Sequence, residues 1–265
     1  MLGEDYLAEC EALDELVGGL DDADFARVTA FYGWTVRDEV MHLYFVDVLT
    51  LMSIETEADC LAQVAVIREW QKTAELSDLM RQRYADLDSA ALAAAWRETY
   101  RRLAALFATS DPKARMKWFG PDMSLLSAAS ARQMEVWAHG QDLFDLFGVT
   151  RVNADRVRNV CELGVRTYGW TFRNRGLEPP GPAPEVVLTG PSGAAWRWNE
   201  GEASGGVSGP AEDFAAVVTQ RRHVDDTALV TRGAGARRWM ELAQCFAGEP
   251  ADGPPPRSKA ATHEV

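Results

Sequence analysis

Positive charge and long apolar runs are both scarce in this sequence of 265 residues. It has 27 basic against 40 acidic residues, a formal net charge of −13, and only four lysines. A chain of this charge repels the phosphates of nucleic acids and anionic membrane surfaces, so we expect neither as a partner. No run of about 18 apolar residues is present, which argues against a membrane-spanning helix. The N-terminal segment is acidic and helix-patterned, unlike a signal peptide, so we expect a cytoplasmic protein.

Cysteine and histidine are also rare, with four of each. The cysteines are scattered and show no pair at the two-residue spacing of zinc ribbons and redox motifs, so we expect buried, reduced thiols. No cysteine stands out as a nucleophile, and neither does a serine accompanied by a histidine and an aspartate. Catalytic chemistry in this chain is therefore expected to rest on a bound metal.

Helical periodicity dominates the first two thirds of the chain. Helices are predicted at 4–20, 34–52, 57–84, 88–108, 124–147 and 154–173. A Pro- and Gly-rich stretch at 175–185 then indicates a linker. Short strand-like runs follow at 185–190, 194–201 and 227–233, with helices at 210–222 and 234–247. We therefore predict a mainly α fold: a metal-binding helical bundle at 1–175, a small α/β domain at 185–248 and a disordered tail at 249–265.

The stretch "MEVWAHGQD" places three ionisable side chains in a segment that otherwise has the pattern of a buried helix. Glu135, His139 and Asp142 follow one another at spacings of four and three, so they share one face of a helix. Such a pair of glutamate and histidine one turn apart is weak evidence for a metal when it stands alone. Either this face contacts water, or it faces something that binds carboxylate and imidazole.

A second helix carries the segment "GWTVRDEVMHL", which opens with a capping-box pattern. His42 lies four residues after Asp38 on this helix, and a lone buried histidine is more typical of a core position, with Asp38 holding its ring. Facing helices of a bundle nevertheless commonly build metal sites. His42 together with Glu135 and His139 gives three protein ligands with an open position, the pattern of a catalytic zinc site. Asp38 or Asp142 would then orient a ligating imidazole.

The two segments together resemble the mycothiol-dependent maleylpyruvate isomerase branch of the DinB-like metalloprotein superfamily. The resemblance implies a DinB-like four-helix bundle, a divalent metal, most often zinc, on His42, Glu135 and His139, and frequently a low-molecular-weight thiol such as mycothiol as cosubstrate. The stretches "VSGPAEDFAAVVTQRRH" and "RRWMELAQCFAG" are similar to the small α/β domain of an actinobacterial subgroup. The sequence departs from the family pattern at Tyr32, where a proline-containing turn is usual before the Gly-Trp pair.

These observations favour a metal-dependent enzyme acting on a small anionic or carbonyl-bearing molecule, as a thiol-dependent isomerase or S-transferase. Two alternatives stay open: a thiol-independent lyase, cyclase or hydrolase of secondary metabolism, and a non-catalytic small-molecule-binding protein. We expect Asp38 and Asp142 to support catalysis. Arg222 either contacts an anionic substrate across the domain interface or forms the basic last turn of a helix. The sequence leaves oligomer formation open.

Overall fold

The computed structural model describes residues 2–202 and 205–257, which divide into two compact units within residues 1–150 and 151–265. The predicted mainly helical fold with a small α/β unit is confirmed. The division falls before the predicted linker at 175–185, because the helices at 158–173 pack with elements of the second unit. Within the described ranges, no helix combines the length and the apolar composition needed to cross a bilayer. All four cysteines are buried free thiols.

Four long helices of the first unit form a bundle, and three shorter ones flank it. The helices are α1 (Leu2–Val17), α2 (Asp22–Phe25), α3 (Val36–Glu55), α4 (Glu57–Trp70), α5 (Leu76–Arg83), α6 (Ser89–Thr109) and α7 (Leu125–Phe147). In the bundle, α1 packs against α6 and α7, and α3 packs against the same two helices. The predicted helix at 57–84 is two helices, α4 and α5, which lie against α3. A two-residue hairpin, β1 (Arg115–Met116) with β2 (Met123–Ser124), precedes α7.

Capping groups fix the ends of the two helices that carry the candidate ligands. At the start of α3, the Thr35 side chain accepts a hydrogen bond from the Asp38 backbone, and the Asp38 carboxylate accepts one from the Thr35 backbone at 2.9 Å. This is the predicted capping box, and it satisfies two backbone donors that a helix start otherwise leaves unpaired. The Ser124 side chain caps α7 by accepting a hydrogen bond from the Ser127 amide at 3.1 Å. Gly148 ends α7 in a left-handed conformation, with φ of 64°.

A buried ion pair joins α3 to α7 in the core of the bundle. Arg132 donates from Nε to Oδ1 of Asp47 at 2.9 Å, and both side chains are almost fully buried. The indole nitrogen of Trp96, on α6, donates to the other carboxylate oxygen of Asp47 at 3.2 Å. A buried charge without its partner is costly, so arrangements of α3 and α7 that separate Asp47 from Arg132 are disfavoured. The pair thereby aligns the two helices.

The chain enters α3 through a tight turn at residues 28–35. Val28 pairs with Thr35 as an antiparallel bridge, and the Trp34 amide donates to the Phe31 carbonyl at 2.9 Å. The two central residues of this turn, Tyr32 and Gly33, have φ of 49° and 72°. Positive φ at both central positions is the requirement of a type I′ turn, in which glycine is favoured and a bulky residue is strained.

The described residues of the second unit form one four-stranded sheet and four α-helices. Its elements are α8 (Arg158–Arg166), α9 (Tyr168–Arg173), β3 (Glu185–Thr189), β4 (Ala195–Trp198), β5 (Gly206–Pro210), α10 (Ala211–Val218), β6 (Val230–Arg232) and α11 (Ala234–Leu242). The strand order is β4-β3-β5-β6; β3 and β5 are parallel, and the two outer pairs are antiparallel. The strand β5, which was not predicted, therefore lies in the interior of the sheet.

The segment after α11 departs from the predicted disordered tail. Residues 249–257 have almost no regular secondary structure, but hydrogen bonds attach them to the second unit. The Gln244 side chain accepts from the Ala251 amide at 3.1 Å, and Arg175 pairs with Asp252 at 2.9 Å. The sequence could not show the second of these pairs, because Arg175 and Asp252 are 77 residues apart. Residues 258–265 of the predicted tail lie outside the described residues.

Candidate metal centre

Two helices of the bundle bring the three predicted ligands together. His42 projects from α3, and Glu135 and His139 project from α7, one turn apart. Oε2 of Glu135 lies 3.2 Å from Nε2 of His42 and 3.2 Å from Nε2 of His139. One ligand atom from each residue lies within 4.8 Å of the other two. The structure thus presents two imidazole nitrogens and one carboxylate oxygen to a common point.

The chemistry and spacing of these donors fit a zinc ion. Zinc in proteins is bound by nitrogen and oxygen ligands at about 2.0–2.1 Å in tetrahedral geometry, which puts neighbouring ligand atoms about 3.3 Å apart. The two nitrogen–oxygen distances of 3.2 Å match edges of such a tetrahedron. In addition, Nδ1 of His42 is buried and has no hydrogen-bond partner among the described residues. A metal on Nε2 of His42 would not satisfy this Nδ1 atom, so the fit to zinc rests on the donor set and its spacing.

Burial and mutual contacts favour the protonation states of His42 and Glu135 that a metal requires. Burial lowers the pKa of His42 below its usual value, and this outweighs the opposing effect of the Glu135 carboxylate. Burial raises the pKa of Glu135, but hydrogen bonds from His139 and His42 hold that pKa well below its usual range. The pair therefore favours a neutral imidazole and an ionised carboxylate near neutral pH, and a metal binds these forms.

The second nitrogen of His139 contacts a carboxylate that sequence reasoning missed. Nδ1 of His139 is hydrogen-bonded to Oε2 of Glu39, which is fully buried on α3. Thr29 donates from its hydroxyl to Oε1 of Glu39 at 2.8 Å. Because a carboxylate accepts, Glu39 takes the hydrogen bond from Nδ1–H of His139, and a metal bound beside Glu135 would replace the proton at Nε2 and take its lone pair. Carboxylates commonly orient metal-binding histidines in this way.

The sequence suggested Asp38 or Asp142 as the carboxylate that orients a candidate ligand, but the hydrogen bond to His139 Nδ1 comes from Glu39. Asp38 is bound instead by the guanidinium of Arg81, whose Nε and terminal nitrogen donate to its two oxygens at 2.8 and 2.9 Å. Its remaining contacts are those of the capping box with Thr35. Capping and the Arg81 pair therefore occupy Asp38, although it lies only one turn from His42.

Asp142 and Arg222 lie in different units. Asp142 is buried on α7, and its carboxylate forms a second cluster with Glu39 and His139 in which the three ligand atoms also lie within 4.8 Å of one another. Its support of catalysis stays a prediction from the sequence. Arg222 belongs to the second unit, where it lines a cavity of about 300 Å³ together with residues of the segment 252–256. Its catalytic role remains a prediction from the sequence.

Aromatic rings of the turn before α3 cover the imidazoles. The Trp34 ring stacks parallel to the His139 ring at 6.0 Å and is tilted against His42 at 5.5 Å. Phe31 meets both Trp34 and His139 edge to face. His42 also lines an open cavity of about 610 Å³, so the cluster can be reached from outside. The remaining lining residues come from the turn and from residues 75–81: Phe31, Tyr32, Gly33, Trp34, Glu75, Leu76, Ser77, Asp78 and Arg81.

Comparison with known proteins gives a family, two relatives and a shared fold. The family model for the mycothiol maleylpyruvate isomerase N-terminal domain matches residues 6–144. Uncharacterized proteins from two strains of Mycobacterium tuberculosis are each 38% identical to the chain over 250 residues, which is 94% of this chain and 96% of each relative. Two crystal structures of mycothiol-dependent maleylpyruvate isomerase, one of a mutant, match with TM-scores of 0.52 and 0.50 at 16% and 17% identity, covering 95% of this chain and 96% of theirs. At these identities the structural match shows the fold alone.

Proposed function

Because the chain belongs to the mycothiol maleylpyruvate isomerase N-terminal domain family, we propose that it is a metal-dependent enzyme that uses a mycothiol-type thiol. Its reaction would be an isomerisation or S-transfer on a small molecule. The observation that carries the proposal is the convergence of His42, Glu135 and His139 on one point beside an open cavity. Zinc is the metal that this donor set favours.

Each residue of the centre has a separate task in this proposal. His42 and His139 would hold the metal through Nε2, and Glu135 would add one negative charge and the third ligand. Glu39 keeps the His139 ring in the orientation and tautomer that the metal needs. Trp34 and Phe31 cover the imidazoles and limit the access of water to them. A bound metal with an open position would lower the pKa of a thiol or water there and polarise a carbonyl.

Metal content of the purified protein is the first test. We expect about one zinc per chain when the protein is purified without chelators, and loss of that zinc in His42→Ala, Glu135→Ala and His139→Ala. The matched control is His223→Ala, because His223 lies in the second unit and outside the ligand cluster. Equal metal content in the control and in all three ligand variants would remove the metal proposal and favour a non-catalytic binding protein.

Thiol use is tested separately, with cobalt in place of zinc. A thiolate bound to cobalt gives a charge-transfer absorption band, so addition of mycothiol to the cobalt protein should produce one. The band should be absent in His42→Ala and present in His223→Ala. A cobalt protein that shows no band with mycothiol, yet turns over substrate without thiol, would favour the lyase, cyclase or hydrolase alternative.

A further inference from the structure

The cavity beside the metal ligands has two unlike walls. One wall is aromatic and consists of Phe31, Tyr32 and Trp34 from the turn before α3. The other comes from residues 75–81 and includes two carboxylates, Glu75 and Asp78, which we call the acidic wall. Both carboxylates are exposed to the cavity and to solvent. A molecule bound beside the metal therefore has aromatic faces on one side and negative charge on the other.

The one permanent positive charge among the described residues of this wall, on Arg81, is already paired with carboxylates. Among the described residues that line the cavity, Arg81 is the only one with a permanent positive charge. Its guanidinium binds both oxygens of buried Asp38 and, at 3.1 Å, the carboxylate of Asp78. Arg81 is therefore outnumbered by the two carboxylates that it contacts, and Glu75 adds a further negative charge. A substrate carboxylate would meet a surplus of like charge on this side of the cavity.

Tyr32 stands at the rim of the cavity and is 70% exposed. It is the most exposed aromatic residue of the described chain. Its φ of 49° is strained for a residue with a bulky side chain. The ring meets Phe31 edge to face at 4.8 Å, which holds it beside the aromatic wall. An exposed aromatic face beside carboxylates is the arrangement that attracts organic cations, through the ring quadrupole and direct charge pairing.

We infer that the second substrate of this site carries a cationic nitrogen, which binds between the ring of Tyr32 and the acidic wall. The inference rests on the proposed function, since it concerns the molecule that meets the metal-bound thiol. The sequence led us to expect an anionic or carbonyl-bearing molecule, and a cationic nitrogen departs from the anionic alternative. Tyr32 and Glu75 both line the cavity, and they are not among the three candidate ligands. They would therefore determine which substrate binds.

The test compares two probes that share an aromatic ring and differ in charge. Metal is first removed from the full chain with a chelator, and the chelator is then removed by buffer exchange. Benzyltrimethylammonium and phenylacetate are each titrated into this protein, and calorimetry measures their binding. A quaternary ammonium cannot ligate a metal, and neither titration needs thiol or turnover. The charge preference can therefore fail while the metal and thiol tests succeed, and the reverse also holds.

We expect benzyltrimethylammonium to bind roughly tenfold more tightly than phenylacetate, and the difference to shrink as salt is added. Glu75→Gln and Tyr32→Ala should each remove most of this preference. Glu69→Gln is the matched control, because Glu69 is an exposed acid on neighbouring α4 that pairs with Lys72 and does not line the cavity. Equal or tighter binding of phenylacetate overturns the inference. The inference is also overturned if Glu69→Gln reduces the preference for the cation as much as Glu75→Gln does. The cation would then respond only to the net charge of −13.

Discussion

His139 contacts a carboxylate at each of its ring nitrogens, and the two carboxylates come from different helices. Nδ1 is hydrogen-bonded to Glu39 on α3, and Nε2 lies 3.2 Å from Glu135 on α7. Glu39 is itself held by the Thr29 hydroxyl at 2.8 Å. The ring is thus fixed in one orientation by the protein before any metal binds, which reduces the ordering that metal binding requires.

Glu39→Gln should weaken zinc binding by about 10–100-fold, because the amide cannot replace the carboxylate as a negative acceptor for Nδ1. Asp38→Asn is a matched control: it changes the adjacent carboxylate, whose partners are Thr35 and Arg81. Competition with a chromogenic chelator measures both affinities. Equal losses in the two variants would show that Glu39 has no special relation to the metal centre.

Zinc should stabilise the folded chain against heat. At about 1,000 times its dissociation constant, a ligand that binds only the folded state adds about 4 kcal/mol, which raises Tm by several degrees. His42→Ala should lose this gain, because two remaining ligands hold the ion poorly. Calorimetry with and without excess zinc measures the shift. An identical zinc-dependent rise in wild type and His42→Ala would place the stabilising ion elsewhere.

The stability of the first unit should decline in acid, partly through Asp38. Burial raises the pKa of Asp38, but hydrogen bonds from Arg81 and Thr35 outweigh burial, so its pKa lies below the usual 3.8. The folded state therefore takes up this proton less readily than the unfolded chain. The contribution of Asp38 is complete above about pH 4 and is lost as the pH falls through the folded-state pKa.

Asp38→Asn removes that contribution together with half of the capping box, so at pH 7 it should cost about 1 kcal/mol. The difference between wild type and variant should narrow below about pH 4, where the wild-type carboxyl becomes protonated. Urea unfolding at a series of pH values gives both curves. A gap that stays constant from pH 7 to about pH 3 would mean that the ionised form of Asp38 adds no stability.

Tyr32→Asn should raise the free energy of unfolding by about 0.5–1 kcal/mol. Asn-Gly is the favoured pair at the centre of a type I′ turn, whereas tyrosine is strained at the φ of 49° found here. The tyrosine ring is largely exposed, so its removal sacrifices little burial. Denaturant unfolding measures the gain. Phe31→Asn is the contrasting variant, because Phe31 contacts His139 and its loss should destabilise the turn.

Spacing and resemblance predicted different parts of the candidate site. Glu135 and His139 are four residues apart on one helix, so their proximity follows from helix geometry. His42 was joined to them by the general tendency of facing bundle helices to build metal sites and by the family resemblance, because no spacing shows which faces of two helices meet. Glu39 was missed although a signal existed: the capping box already used Asp38, which left Glu39 as the nearby acid able to enter the core.

The predicted fold class is confirmed, but single elements were missed where tertiary contacts decide local structure. The strand β5 has the sequence Gly-Val-Ser-Gly-Pro, whose composition disfavours a strand, and its conformation depends on pairing with β3 and β6. The unit boundary was predicted too late because the amphipathic pattern of α8 and α9 does not say which core these helices join. The left-handed Gly148 at the end of α7 marks the change more closely.

The Asp47–Arg132 pair has a consequence for how such proteins diverge. It aligns α3 with α7 inside the core, and it includes none of the three candidate ligands. If a candidate ligand is exchanged during evolution, Asp47 and Arg132 still align the two helices. A change at any of the three candidate ligands can therefore alter or abolish the candidate metal centre while the Asp47–Arg132 pair still aligns α3 with α7.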